Sequence, residues 1–296
     1  MDLGDLDARL AETPGTVSVY AGRLHAPPTW TRHAEVTHYA ASTMKLAVLA
    51  ALYRAAETGR LDLDAPVEVS NRFTSARPDA APYGCARHYD NDDAVWARLG
   101  EHVPPRWLAE RMIVRSSNLA TNLLIEHLGR PALAEVWALA GARHSGTARG
   151  IEDFAAREVG ITNLVTAADL AALLDTIATG ATRPGPIASP AGCAEMLDVL
   201  CAQQIRQDVA EGLPAGVRLA HKNGWVPGIR HGAAVVFPED AAPYLIVVCT
   251  TTPLTEQPSG ARSDVDARQL AADISTRVWQ ARHHLTPADP PPTSAH

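Results

Sequence analysis

Ser42 and Lys45 stand three residues apart in "ASTMK", where an apolar run that reads as a helix begins. Helix positions three apart share a face, so the two side chains come within reach of each other. A serine hydroxyl is a poor nucleophile until a base takes its proton. Lysine can be that base, because desolvation lowers its pKa, whereas arginine stays charged. Free N–H groups at a helix start also favour negative charge developing on the serine oxygen. Composition singles out the same residue. Of 26 lysines and arginines, only Lys45 and Lys222 are lysine. Taken alone, Ser-x-x-Lys equally describes a capping serine beside a solvated lysine.

Two further stretches carry compatible chemistry. "RSSN" (115–118) puts Ser116 and Asn118 at the junction of two helical patterns. A hydroxyl there can pass on a proton, and an amide can hold a substrate carbonyl or the base. Alone, the pair also fits ordinary capping. "HKNGW" (221–225) sets Lys222 at the end of a strand-like run, with Gly224 where a ligand can approach the backbone closely. A charged Lys222 near Lys45 would help lower the pKa of the base and would attract an anionic substrate. Its bland counterpart is a turn with a surface lysine.

The elements that must position these residues follow from periodicity. Residues 2–12 read as an amphipathic helix and 16–23 as a strand. A strongly apolar helix runs from Ser42 towards Gly59. Residues 71–95, rich in Pro, Asp, Asn and Arg, read as a long mobile loop, with Phe73, Tyr83, Tyr89 and Trp96 available to face a ligand. Three helices follow, the second closed by Gly129 and the third by Gly141. Thr166 and Asp169 have capping-box spacing, and Ser189 with Pro190 opens another helix. Three strand-like runs, "GVRLAHKNGW", "HGAAVVFPE" and "YLIVVCTTT", precede a last helix.

Strands at both chain ends must pair to make one sheet. This predicts an α/β (α+β) fold: an antiparallel sheet of about five strands, flanked by N- and C-terminal helices, with an all-helical domain inserted. The expected division is 1–60 plus 212–284 for the sheet domain, 61–211 for the helical domain and 285–296 for a disordered tail. Clefts favour domain boundaries, and Ser42 falls near one.

The chain has 296 residues, 46% of them apolar, and a net charge of −7. It has no basic stripe of the kind nucleic acid requires, and no apolar run long enough to span a membrane. "MDLGDLDARLAETPG" lacks a basic, then apolar, leader, so a cytoplasmic location is expected. Cys193 and Cys201, eight apart on a helix, would lie roughly 12 Å apart, too far to bridge. No zinc spacing is present, and "HYDNDDA", beginning at His88, lacks EF-hand spacing and reads as a solvated loop. No metal and no cofactor are expected. The expected partner is a small-molecule substrate, and nothing points to an oligomeric state.

The order Ser-x-x-Lys, Ser-x-Asn, Lys-x-Gly resembles the penicillin-recognising serine enzymes. "AASTMKLAVLAALYRAAETGRLDLD", "RMIVRSSNLATNLLIEHLG", "TNLVTAADLAALL" and "HKNGWVPGIRHGAAVVFPEDAAPYLIVVCTT" are similar to class A β-lactamase-like serine hydrolases over most of residues 3–280. The resemblance implies the sheet-plus-helical-insert fold. It implies Ser42 as the acylated nucleophile, Lys45 as its base and Ser116 as proton shuttle. Asn118 would contact substrate and lysine, and Lys222 would order Ser116 and draw anionic substrate. Asn223, Gly224 and Trp225 would line the substrate site, the N–H groups of Ser42 and Trp225 forming an oxyanion hole.

Three departures stand out. Ser117 replaces the usual Asp, which bears on anchoring between domains. Asn223 replaces the usual Thr or Ser, whose hydroxyl helps hold a β-lactam carboxylate. The Glu-x-x-Leu-Asn loop of deacylating lactamases is missing; "TARGIEDFAAREVGITN" is the nearest stretch, leaving Glu152 or Asp153 as the deacylating group. The expected activity is hydrolysis of an ester or amide of a small acyl metabolite, including a β-lactam, through an acyl-enzyme. The alternatives are a true β-lactamase that turns over penicillins and a non-catalytic binding or sensing module on the same fold.

Overall fold

The computed structural model describes residues 4–253 and 263–286, with 263–266 described by backbone alone. Helix α1 (Asp5–Glu12) leads into β1 (Thr16–Arg23) and the short β2 (Trp30–Arg32). β3 (His38–Tyr39) feeds a 3₁₀ turn, Ala41–Met44, that runs directly into α2 (Lys45–Glu57). β4 (Val67–Glu68), α3 (Asp93–Trp96) and β5 (His102–Val103) bracket the polar segment. Then come α4 (Pro105–Val114), α5 (Asn118–Leu128), α6 (Arg130–Leu139), α7 (Phe154–Glu158), β6 (Leu164–Val165), α8 (Ala167–Gly180) and α9 (Pro190–Cys201). β7 (Arg218–Val226), β8 (Ile229–Phe237), β9 (Tyr244–Thr251) and α10 (Ser263–Gln280) complete the order.

The five-stranded sheet has the order β2-β1-β9-β8-β7, and every pairing in it is antiparallel, as expected. The N- and C-terminal segments meet there, Thr16 opposite Thr251 and Arg23 opposite Tyr244. Both faces are covered, so β8 and β9 are buried almost throughout. Alternation sorts their side chains. Val19, Val236 and Val248 pack with Leu6, Leu10, Leu270 and Ile274 of the terminal helices. Val235, Leu245 and Val247 face the larger core built on α2, α8 and α9. Ten of the thirteen residues of α2 are buried. A helix that is apolar all round belongs inside, so α2 is a fixed shaft with the 3₁₀ turn at its head.

Several expectations needed correction. The Thr166 hydroxyl does accept from the Asp169 N–H at 3.0 Å, but no capping box closes. The Asp169 carboxylate instead collects the N–H groups of Arg143, His144 and Ser145, because three donors there lack helical partners. Leu285 and Thr286, assigned to the expected tail, are tied into the fold: Leu285 is buried and the Thr286 N–H donates to Thr29. Positions 287–296 lie outside the described residues.

The 71–95 segment is built into the fold and is not a free surface loop. Phe73, Cys85, Asp92, Val95 and Trp96 are buried, and Phe73 bridges Tyr83 as in a strand pair. Apolar side chains within a polar stretch found the core, so Phe73 and Trp96 face inwards and not a ligand. Tyr89 is the exposed aromatic, at 64%. "HYDNDDA" is equally committed: Asp92 caps α3 through the Ala94 N–H and pairs with Arg111 at 2.5 Å.

Candidate active site

The chain reaches Ser42 from β3, and the sheet holds that approach rigidly. His231 of β8 contacts the Tyr39 carbonyl at 2.9 Å, and the Ala40 N–H donates to Asn163. Ala41 then takes φ 44°. Such a conformation costs a residue with a Cβ roughly 1–3 kcal/mol and persists only where surroundings enforce it. Among the described non-glycine residues, His25, His33, Ser116, Glu152 and Asp208 share this left-handed backbone. Of these, Ala41 adjoins Ser42, Ser116 receives Lys45, and Asp208 meets Asn223.

Ser42 is half-buried, and Lys45, the first residue of α2, is fully buried. Lys45 Nζ donates to the Ser116 carbonyl at 2.7 Å, to Ser116 Oγ at 3.1 Å and to Asn118 Oδ1 at 2.9 Å. Three acceptors satisfy the three donors of an ammonium. Burial lowers the Lys45 pKa to about 7, against smaller upward pulls from Asp90 and Cys85. Ser116 can offer both oxygens because its φ of 60° turns the chain between α4 and α5. Asn118 opens α5, and its Nδ2 donates to the Tyr89 carbonyl at 3.0 Å.

β7 passes beside the nucleophile. A Cβ on Gly224 would lie 2.7 Å from the Ser42 nitrogen and 2.9 Å from that of Thr43. Only glycine permits that approach. Trp225, next along the strand, is half-buried.

Lys222 differs from expectation. Its Nζ donates to the carbonyl of Asn223 at 2.7 Å and to Asn223 Oδ1 at 3.3 Å, and not to Ser116. Burial first, and then the Lys45 charge, push its pKa well down, with Asp208 pulling the other way. Two buried ammonium groups this close disfavour each other, so protonation of both at once is opposed. Asn223 is fully buried, its Nδ2 reaching Asp208 at 3.3 Å, so its side chain braces Lys222 and is closed to solvent.

The two acids of the missing-loop region separate cleanly. Asp153 is buried and saturated: it accepts from Ser75 Oγ, the Ala76 N–H and the Ala156 N–H, and so caps α7. Glu152 accepts from the Ala86 N–H at 2.9 Å through one oxygen; Oε1 is buried with no partner at hydrogen-bond distance, and the nearby Cys85 thiol favours the charged carboxylate. Burial raises its pKa.

Residues outside the motifs complete the arrangement. Asn122, one helical turn after Asn118, holds Ile151 by both its N–H and its carbonyl, fixing the strand of chain that carries Glu152. The i, i+4 spacing on α5 was a readable sign of that. Arg230 and Asp208, ion-paired at 2.9 Å and buried, support Asn223 from below; no local pattern marks them. A cavity lined by Thr74, Tyr83, Asn122, Glu126, Arg130 and Gly150 includes none of the expected site residues. Among the described residues no group of three or more His, Cys, Asp or Glu is arranged to hold a metal ion. No described helix is long and apolar enough to cross a membrane.

Solved structures share this architecture. A β-lactamase from Sphaerobacter thermophilus DSM 20745 superposes with a TM-score of 0.76 at 22% identity, over 97% of this chain and 100% of that one. An ancestral (GNCA) class A β-lactamase gives 0.75 at 23%, over 95% and 100%. PBP-A gives 0.71 at 23%, over 94% and 97%. At these identities the likeness carries the fold. No curated protein sequence matches. The model of the beta-lactamase enzyme family matches residues 4–282, nearly the whole chain, and the chain therefore belongs to that family.

Proposed function

We propose that the protein is a serine hydrolase that acylates Ser42 with an ester or amide of a small acyl compound and releases it to water. One observation carries this reading: Lys45 is wholly buried, tuned to titrate near neutrality, and hydrogen-bonded to both Ser116 and Asn118. A structural lysine has no need of such a setting, whereas a general base requires a pKa near the working pH.

In this reading the neutral Lys45 takes the Ser42 proton as Oγ attacks the carbonyl carbon. The oxyanion is held by the N–H groups of Ser42 and Trp225. β7 is an edge strand, so alternate N–H groups point away from β8 towards that oxygen. The proton passes through Ser116 to the leaving group as the carbon–heteroatom bond breaks. Water then attacks the acyl carbon, and its proton is taken up as Ser42 Oγ departs. Lys222, fully buried on β7 and bonded to Asn223, contributes bracing more than a direct substrate contact.

A second reading, a true β-lactamase, is favoured by Glu152. Its unpartnered oxygen and raised pKa suit a group that takes a proton from water, whereas Asp153 is spent on capping α7. Intact-protein mass, followed over time with a serine-reactive fluorophosphonate and with a penicillin, tests both. A stable adduct on Ser42 with either reagent supports the hydrolase. Rapid loss of the penicillin adduct with many turnovers supports the lactamase. Absence of any adduct sinks both and leaves a binding module.

A further inference from the structure

Asp90 lies in the polar segment, 27 residues before Ser117, yet its carboxylate reaches the opening turn of α5. Its Oδ2 accepts from the Leu119 N–H at 2.8 Å, from Ser117 Oγ at 3.2 Å and from Trp96 Nε1 at 3.1 Å. Its Oδ1 accepts from the Asp92 N–H at 3.2 Å. Ser117 is the N-cap of α5, accepting from the Ala120 N–H, and is a neutral cap by itself. Helix starts carry positive partial charge and unpaired N–H groups, so a carboxylate is the stronger partner. The residue just before, Tyr89, accepts from Asn118 Nδ2. The Asn118 amide is therefore held at both ends, by Lys45 on one side and by the Tyr89–Asp90 segment on the other.

We propose that Asp90 is a positioning residue of the Ser42–Lys45 site: a carboxylate supplied by a distant segment that caps α5 through Leu119 and Ser117 and so aims Asn118 at Lys45. This rests on the reading of Lys45 as the base, since the aim of Asn118 bears on rate only if that lysine moves a proton. The charge has a second effect. Lys45 is faced by Asp90 and Cys85 from this segment, by Ser116 and Asn118 from the α4–α5 junction and by Lys222 from β7. Cys85 in turn faces Glu152. Asp90 favours the protonated lysine. Without that charge burial is less opposed, and Lys45 deprotonates at lower pH.

The test measures the rate of Ser42 labelling by a fluorophosphonate against pH in the full chain. The proteins are wild type, Asp90→Asn, Asp90→Ala and Asp90→Ala with Ser117→Asp, each checked by thermal melting. Asp90→Ala should lose about tenfold or more of the plateau rate, the order expected when a reacting group is misaimed. Asp90→Asn should retain more of the plateau and shift the rising limb to lower pH. Ser117→Asp should recover most of the Asp90→Ala loss, because an N-cap Asp returns a carboxylate to the same N–H groups. Wild-type labelling together with an Asp90→Ala rate equal to wild type overturns the inference. So does a loss that Ser117→Asp leaves uncorrected while the Asp90→Asn limb stays in place. Should Asp90→Ala not fold, the Asp90→Asn limb decides. Failure of the wild type itself to label overturns the Lys45 reading, and this inference with it.

Discussion

Lys45 Nζ stands 2.9 Å from Asn118 Oδ1, although 73 residues separate the two in the chain. This contact ties the head of α2 to the head of α5, so the base is aimed by the helical part of the molecule while its backbone is set by the sheet. A lysine so enclosed cannot be exchanged for an arginine on charge alone. Lys45→Arg should therefore damage Ser42 labelling nearly as much as Lys45→Ala, because a guanidinium does not deprotonate near neutral pH. Retention of more than about a tenth of the rate, roughly 1.4 kcal/mol of barrier, would show that Lys45 is not the base. In the native protein the labelling rate should rise with pH through about 7, as Lys45 loses its proton.

Ser42→Ala should remove all covalent labelling by fluorophosphonate or penicillin. Far-UV circular dichroism and the melting temperature should hold, since the hydroxyl is not a structural partner of any described group. Persistent labelling at another serine, located by peptide mapping, would reassign the nucleophile.

Glu152→Gln should acylate at close to the native rate and then stall. Gln accepts the Ala86 N–H as Glu does, so the backbone arrangement survives while the proton acceptor is lost. In the native protein the deacylation rate should climb with pH through a value above the ordinary carboxylate range, because burial raises the Glu152 pKa. Equal adduct lifetimes in the two proteins would move that role to Lys45 or Ser116.

Replacing residues 76–92 by a short Gly/Ser linker should lower stability sharply. The exchange removes the Asp92 partner of Arg111, the Asp90 acceptor of Leu119 and the Ala86 donor to Glu152. Leaving Arg111 without its carboxylate alone costs roughly 1–2 kcal/mol, since a partly exposed guanidinium stays hydrated. Denaturant unfolding of the deletion and of Asp92→Ala measures both, and a deletion that melts with the parent would show the segment to be an accessory.

Stability should fall with acid for an identifiable reason. His38, His221 and His231 are buried, and desolvation lowers their pKa values to about 3, 3 and 4. They are neutral in the folded state, while the unfolded chain takes up protons at the ordinary value near 6.5. Stability is thus complete above about pH 6.5 and is lost as pH falls below it, by up to about 1.4 kcal/mol per pH unit for each group. His221 has no hydrogen-bond partner on either ring nitrogen. His221→Val, a β-branched residue suited to β7, should flatten the slope measured by denaturant unfolding between neutral and mildly acidic pH. A slope equal to that of the parent would place the acid sensitivity elsewhere.

Much of this architecture was legible in the chain itself. Alternation marked β1, and apolar, β-branched runs bounded by turn residues marked β7, β8 and β9. Helical periodicity with Pro and Gly at the ends marked α4, α5, α6 and α9, since capping is decided within a turn. The three short motifs, with lysine kept at two places only, pointed to Ser42, Lys45, Ser116 and Asn118. These signals are local, and local chemistry survives in a one-dimensional string.

What the string withheld was which distant partner each polar group would find. Asp90 and Asp92 looked like solvent-facing acids, but one caps α5 and the other is paired with Arg111. Asp169 had the spacing of a local cap and bonded across the fold instead. Asn223 was expected to line the substrate site and is instead fully buried, bracing Lys222. Glu152 and Asp153 are neighbours in sequence, and only the turn at Glu152 (φ 65°) leaves one with a free oxygen and the other saturated. A carboxylate or amide reaches only about 3 Å, so its partner is whichever donor the packed helices and sheet bring that close. That proximity is a property of the tertiary structure, and no spacing along the chain encodes it.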